Sequence, residues 1–205
     1  MKELELIAVE VRKKLLQNIV KAGGGHTGGS MSSVDILVAL YFEVMNIDPA
    51  NPAMPGRDRF IMSKGHSVES YHAVLSKRGF FSEEILDSYG DFNSLLAGHP
   101  TRKVPGVEVN SGALGHGLSV GVGMALAAKR DGAPYRTFVL MGDGEHGEGS
   151  IMEAAAAAGH YRLDNLVAVI DRNGLQISGK TEEVMSIENL NAKYKACGWS
   201  VRSCD

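Results

Sequence analysis

The chain has 205 residues, 44% of them hydrophobic and 22% charged, with a formal net charge of −3. Those values suit one soluble globular domain long enough to bury a real core. They argue against a nucleic-acid-binding or acidic-membrane-binding surface, and no apolar run approaches a membrane span. Glycine is the outlier at 25 residues, clustered in short stretches, as expected of tight turns near ligands.

In chain order, Leu4 to Lys21 has apolar residues at helical spacing and runs into Gly23-Gly24-Gly25. The alternation of charge and apolar residues from Met1 to Gln17 is that of an amphipathic helix rather than a signal peptide. Ser32 or Ser33 is the expected cap of a second helix reaching about Met45. Asn46 to Arg57 holds three prolines and reads as a loop, and Arg59 to Ser63 as a short strand. Ser67 to Arg78 and Ser82 to Tyr89 read as helices, and the Gly- and Pro-rich stretch Gly98 to Gly117 as a long functional loop. Then come a helix of small residues (Leu118 to Arg130), a buried strand (Thr137 to Met141), a helix (Ser150 to His160) and a second buried strand (Leu166 to Asp171). A helix from Glu188 to Cys197 and a strand from Trp199 close the pattern. Apolar strands alternating with helices predict a parallel sheet flanked by helices, in one domain over residues 1–205. Cys197 and Cys204 lack metal-site spacing and read as reduced thiols, and the chain reads as cytoplasmic.

Gly142-Asp143-Gly144-Glu145-His146-Gly147 follows a strand and precedes a helix, and so fits the dinucleotide pattern G-x-G-x-x-G. Asp171 at the end of the next strand also fits, which makes a nicotinamide dehydrogenase the rival reading. Against it stands Asp143, whose carboxylate would repel a pyrophosphate approaching the glycines. The conflict disappears if Mg²⁺, or Ca²⁺ or Mn²⁺ in its place, bridges carboxylate and phosphate oxygens. The next strand end offers a second oxygen ligand in Asn173, 30 residues on, and the turn at Gly174-Leu175 offers a backbone carbonyl. Gly-Asp-Gly, a spacer and Asn form the thiamine-diphosphate motif.

Further segments extend the match. They are Gly25-His26-Thr27-Gly28-Gly29, Arg57-Asp58-Arg59-Phe60, Ser63-Lys64-Gly65-His66, Gly98-His99-Pro100 and Pro105-Gly106-Val107-Glu108. After them come Gly112-Ala113-Leu114-Gly115-His116-Gly117, Glu148 and Glu153, Ala158-Gly159-His160, Asp171-Arg172-Asn173 and Gly198-Trp199. In these the chain resembles the N-terminal diphosphate-binding domain of transketolase over essentially its whole length, most of all the short N-terminal subunit of split transketolases.

The resemblance implies a thiamin-diphosphate-binding fold and ketol transfer from a ketose phosphate to an aldose phosphate. It places Asp143, Asn173 and the carbonyl of Leu175 at the metal, and Gly142, Gly144 and His66 at the diphosphate. Gly112 and Leu114 fall where the family's loop lines the cofactor. His26, His66 and His99 fall where the family lines its substrate channel and manages protons, a task that suits neutral imidazoles. Glu148 and Glu153 fall at a subunit interface where the family links two active sites through water, which counts Glu148 with His26, His66 and His99 among the expected catalytic residues. The five alanines Ala154 to Ala158 offer a flat helix surface to another chain. His72, His146 and His160 read as structural. Thr27 and His116 stand where most full-length members have Pro and Gln, and Lys64 is a further local variation; these leave the sugar open. The resemblance also implies that further strands and helices of this domain, and a pyrimidine-binding domain with its activating glutamate, lie outside this sequence. The expected partners are sugar phosphates, a second copy and a C-terminal transketolase subunit. A different sugar, sulfonated or unphosphorylated, and a noncatalytic cofactor-binding module are the alternatives.

Overall fold

A computed structural model describes residues 1–204. Its first half is helical. α1 (Lys2–Ala22) buries Ala8, Val11, Leu15, Asn18 and Ile19, a stripe at helical spacing, and ends where Gly23 turns left-handed. α2 (Thr27–Ala39) continues into a wider π-type turn (Leu40–Val44). β1 (Arg59–Met62) leads through one tight turn (Gly65–Ser67) into α3 (Val68–Arg78), and α4 (Glu83–Asp87) is short. The second half alternates. α5 (His116–Asp131) precedes β2 (Thr137–Gly142), α6 (Gly149–His160) precedes β3 (Leu166–Asp171), and a small antiparallel hairpin, β4 (Leu175–Gln176) with β5 (Gly179–Lys180), follows. α7 (Thr181–Val184) and α8 (Leu190–Ala196) complete the described elements.

β1, β2 and β3 form a parallel sheet in that order, with Arg59 opposite Thr137 and Gly142 opposite Asp171. Side chains alternate across it as strand geometry requires. Phe60, Met62, Phe138 and Leu140 enter a core with α1, α2 and α3, while Ile61, Val139 and Met141 enter a second core with α5 and α6. Both faces are therefore covered, which is why β2 reads as an unbroken apolar run. Among the described residues β2 is the central strand and β1 and β3 lie at the edges, with Val167 on β3 36% exposed. At the N-terminal ends of the strands, the buried carboxylate of Asp58 accepts from Arg136 N–H, the Arg136 guanidinium and Asn46 N–H at 2.7, 2.7 and 2.9 Å.

Three expectations need correction. The second helix begins at Thr27, not near Ser33: Ser32 and Ser33 lie inside it, their hydroxyls bonded back to the Gly29 carbonyl at 3.1 and 2.7 Å. Tertiary packing overrides the poor helix propensity of Gly28-Gly29. The segment from Trp199 pairs with no strand among the described residues; Trp199 packs instead on α6, its indole N–H donating to Ala155 O at 2.9 Å. The alanine face of α6 is not free for another chain, because Ala154, Ala155 and Ala158 are buried within this one beneath α5 and Tyr194, leaving Glu153 and Ala156 exposed.

His72 on α3 is 1% exposed, and neither ring nitrogen has a partner. Burial pushes its pKa from 6.5 down to about 4, against the attraction of Glu69. An unfolded chain takes up a proton near pH 6.5 and the folded one does not, so stability should be lost as pH falls from about 6.5 to about 4, by roughly 3 kcal/mol from this group. Thermal unfolding of His72→Phe should therefore depend less on pH across that window than the parent does. Parallel pH profiles would contradict the assignment.

Candidate cofactor site

Three parallel strands deliver their C-terminal ends side by side, the place where ligands of open α/β sheets bind. β1 runs into Ser63-Lys64-Gly65-His66, β2 into Asp143-Gly144 and β3 into Arg172-Asn173-Gly174. The ends are tied together by buried charge. Lys64 is fully buried, and its ammonium pairs with the Asp171 carboxylate and donates to Gly29 O at 3.0 Å. Ser32 of α2 donates to the same Asp171 oxygen at 2.6 Å. Glu145, 3% exposed, accepts from the Ser63 hydroxyl, from Gly115 N–H at 2.8 Å and from Gly142 N–H at 3.1 Å. Burial raises its pKa, while those hydrogen bonds lower it.

Asp143 is 1% exposed at the turn after β2. One carboxylate oxygen accepts from Gly144 N–H at 2.9 Å; the other accepts from Gly174 N–H at 2.9 Å and from the Thr181 hydroxyl at 3.1 Å. Asn173 is exposed and curls over its own turn, its amide oxygen accepting from Leu175 N–H at 3.0 Å. Asp143 and the turn containing Asn173 and Leu175 are thus brought together, with Leu175 starting the β4–β5 hairpin. Carboxylate, amide and carbonyl oxygens are the hard donors that Mg²⁺ or Ca²⁺ takes. Gln176, packed on Gly144, holds a buried amide oxygen without a partner, a polar atom left over beside this turn. The donor set therefore fits a cation-bridged diphosphate.

The three histidines come from three separated segments and meet. The His26 ring centroid lies 5.4 Å from that of His66 and 6.2 Å from that of His99. His26 and His99 are exposed and His66 is half-buried. Burial, then the Lys64 charge, then the two neighbouring imidazoles push the His66 pKa down to about 4, so it is neutral at ordinary pH. The loop before α5 crosses the end of β1: Ser111 donates to Met62 O at 2.6 Å, and a Cβ on Gly65 would stand 2.7 Å from Gly112 N. Gly112 lies against the His99 ring, and Leu114 accepts from the His116 ring at 3.2 Å. Glu148 is exposed at the N-terminus of α6, away from the three histidines in sequence and packed by its stem on Gly115. His146 is structural, as expected: its ring bonds Gly142 O at 2.9 Å and the Tyr194 hydroxyl at 3.0 Å.

Sequence reasoning missed Glu69, Glu145, Thr181 and the Lys64–Asp171 pair. In a sequence, a charged residue in the first turn of a helix looks like a solvated one. The one available signal was Lys64 and Glu145 lying in Gly-containing turns directly after apolar strands.

Open parallel α/β sheets bind ligands at the C-terminal ends of their strands, and that end here carries the oxygen donors and the three histidines. Comparison with known proteins identifies the family. The family described as "Transketolase, thiamine diphosphate binding domain" matches residues 5–205. A subunit of the apulose-4-phosphate transketolase of Phocaeicola vulgatus is 59% identical over 198 residues, covering 97% of this chain and 70% of that protein. A 6-deoxy-6-sulfo-D-fructose transketolase subunit from a Clostridium species is 44% identical, covering 99% of this chain and 74% of that protein. Among solved structures, transketolase from Campylobacter jejuni superposes with a TM-score of 0.91 at 31% identity, covering 97% of this chain and 32% of that one. The chain belongs to the transketolase family. It spans about a third of the Campylobacter enzyme and most of the length of the two transketolase subunits.

Lys64→Met would leave the Asp171 carboxylate buried without its cation and should cost about 3–5 kcal/mol of unfolding free energy. Lys64→Met combined with Asp171→Leu should recover much of that loss in denaturant titrations. A double variant no more stable than the single one would contradict a buried ion pair as the tie.

Proposed function

We propose that this chain is the N-terminal subunit of a split transketolase, binding thiamine diphosphate through a divalent cation and transferring a two-carbon ketol unit between sugar phosphates. The observation that carries the reading is the buried Asp143 carboxylate in a Gly-Asp-Gly turn, hydrogen-bonded to the strand end that bears Asn173. Asp143, Asn173 and the Leu175 carbonyl would hold the metal, which is Mg²⁺ in the first instance. Gly142, Gly144 and His66 would meet the diphosphate, and Gly112 and Leu114 the rest of the cofactor.

When bound, thiamine diphosphate supplies the electron sink for breaking and making the carbon–carbon bond. The chain's part is placement and proton handling. His66, neutral because of its surroundings, can donate a hydrogen bond without carrying charge into the site. His26 and His99, exposed beside it, would meet the hydroxyls of the sugar. The groups that engage the pyrimidine end of the cofactor come from a second polypeptide of the C-terminal transketolase type. Glu148 and Glu153, exposed at the start of α6, would face that subunit or a second copy. No helix among the described residues is long and apolar enough to cross a membrane. The free thiols Cys197 and Cys204, without metal-site spacing, support a cytoplasmic location. For the sugar, the 59% identical relative is named for apulose-4-phosphate and the 44% identical one for a sulfonated fructose. A ketose phosphate is the first choice, and a sulfonated ketose the comparison substrate.

Calorimetric titration with thiamine diphosphate, in the presence of a candidate C-terminal subunit, tests the reading. Binding should require Mg²⁺, and Asp143→Ala should abolish it while circular dichroism stays unchanged. Equal affinity with and without the metal, or in the variant, would contradict it. In the same complex, His26→Ala and His99→Ala should lower turnover by about 10²- to 10⁴-fold, with little change in cofactor affinity. A variant that loses cofactor binding yet keeps turnover at saturating cofactor would overturn the histidine assignment.

A further inference from the structure

Glu69 stands in the first turn of α3, three residues after His66, yet it is 3% exposed. A carboxylate in that position is costly to bury unless donors surround it. Three do, from two separate parts of the fold: the start of α2 and the turn after α4. The backbone N–H of His26 and the Tyr89 hydroxyl both donate to one oxygen at 3.0 Å, and the Ser30 hydroxyl donates to the other at 2.6 Å. Tyr89 keeps its proton for this purpose, its pKa raised by burial and then by the charge of Glu69 itself.

The bond to His26 holds the short segment between the end of α1 and the start of α2. His26 follows three glycines and is the cap residue of α2, without a side-chain cap of its own. Its carbonyl accepts from Ser30 N–H at 3.0 Å, which fixes one side of the residue. Its own N–H would otherwise be one of the unsatisfied donors at a helix N-terminus, and Glu69 supplies the acceptor from across the core. The glycine before it is shaped to this contact. A Cβ on Gly25 would stand 2.6 Å from the Glu69 carboxylate and 2.9 Å from Ile19. The same carboxylate therefore holds the His26 backbone N–H through one oxygen and the Ser30 hydroxyl, one turn further on, through the other, beneath the imidazole that faces His66 and His99.

We propose that Glu69 is a positioning residue: by accepting from His26 N–H and Ser30 Oγ it sets the place of the His26 imidazole against His66 and His99. This deepens the reading of His26 as a substrate-facing group and rests on it. Glu69 touches neither cofactor nor substrate; it acts through the backbone of His26.

Two readouts test it. The first needs no activity. Amide hydrogen exchange resolved by residue should show His26 N–H exchanging about tenfold faster in Glu69→Ala, with β2 amides unchanged, and near the parent rate in Glu69→Gln, which keeps an acceptor oxygen. Glu69→Asp retains the charge but draws the carboxylate back, and it should release His26 as Glu69→Ala does. It serves where the alanine variant does not fold. The second readout is ketol transfer in the complex with the C-terminal subunit. Glu69→Asp should lower kcat/KM by about 10- to 100-fold with cofactor affinity unchanged. Made in a His26→Ala background, it should lower kcat/KM no further. Unchanged His26 exchange in Glu69→Asp, or kinetic effects that multiply in the double variant, would overturn the proposal. A parent complex without ketol transfer would instead count against the proposed function, and the exchange measurement would still decide the contact.

Discussion

The buried pair of Lys64 and Asp171 is the constraint on which the site depends. It joins the end of β1 to the end of β3 across β2, and it takes in α2 through Gly29 and Ser32. Parallel strands give each end a direction but not a fixed separation. A fully desolvated ammonium with oxygen neighbours from separate elements does fix it, because moving any one of them leaves a charge unmatched in a low dielectric. Glu145 performs the same service on the other side, gathering Ser63, Gly115 and Gly142. Such groups add little net stability compared with apolar residues of the same shape. Their effect is to hold the turns that carry Asp143, Asn173 and His66 in one arrangement.

Charge within the site follows from the same burial. Asp143 has donors on both oxygens and sits where an incoming diphosphate would need a cation. His66 is made neutral by desolvation and by the Lys64 ammonium behind it. The cation that ties the strands thus also adds to the desolvation that keeps the nearest histidine neutral.

What could be read in the sequence was what periodicity and composition encode. β2 and β3 were legible because strands covered on both faces are continuous apolar runs, and α1 because its stripe repeats at helical spacing. The Gly-Asp-Gly turn was legible because a carboxylate between glycines conflicts with phosphate binding unless a metal intervenes. The start of α2 was not, since Gly28-Gly29 discourages a helical first turn that long-range contacts of Glu69 and Asp171 and core packing stabilise. The two-residue strands β4 and β5 carry too little pattern to register. Long-range charge partners, such as Glu69 with His26 or Lys64 with Asp171, leave no local trace at all.

The most direct measurement is a crystal structure of this chain with its C-terminal partner, thiamine diphosphate and Ca²⁺, with the ion located by its anomalous scattering. The ion should lie about 2.3–2.6 Å from a carboxylate oxygen of Asp143 and the amide oxygen of Asn173, bridging to the diphosphate. Asn173 would have to turn its amide oxygen away from Leu175 N–H to reach it. An ion bound elsewhere, or a cofactor held with no ion between Asp143 and the phosphates, would contradict the metal-bridged site.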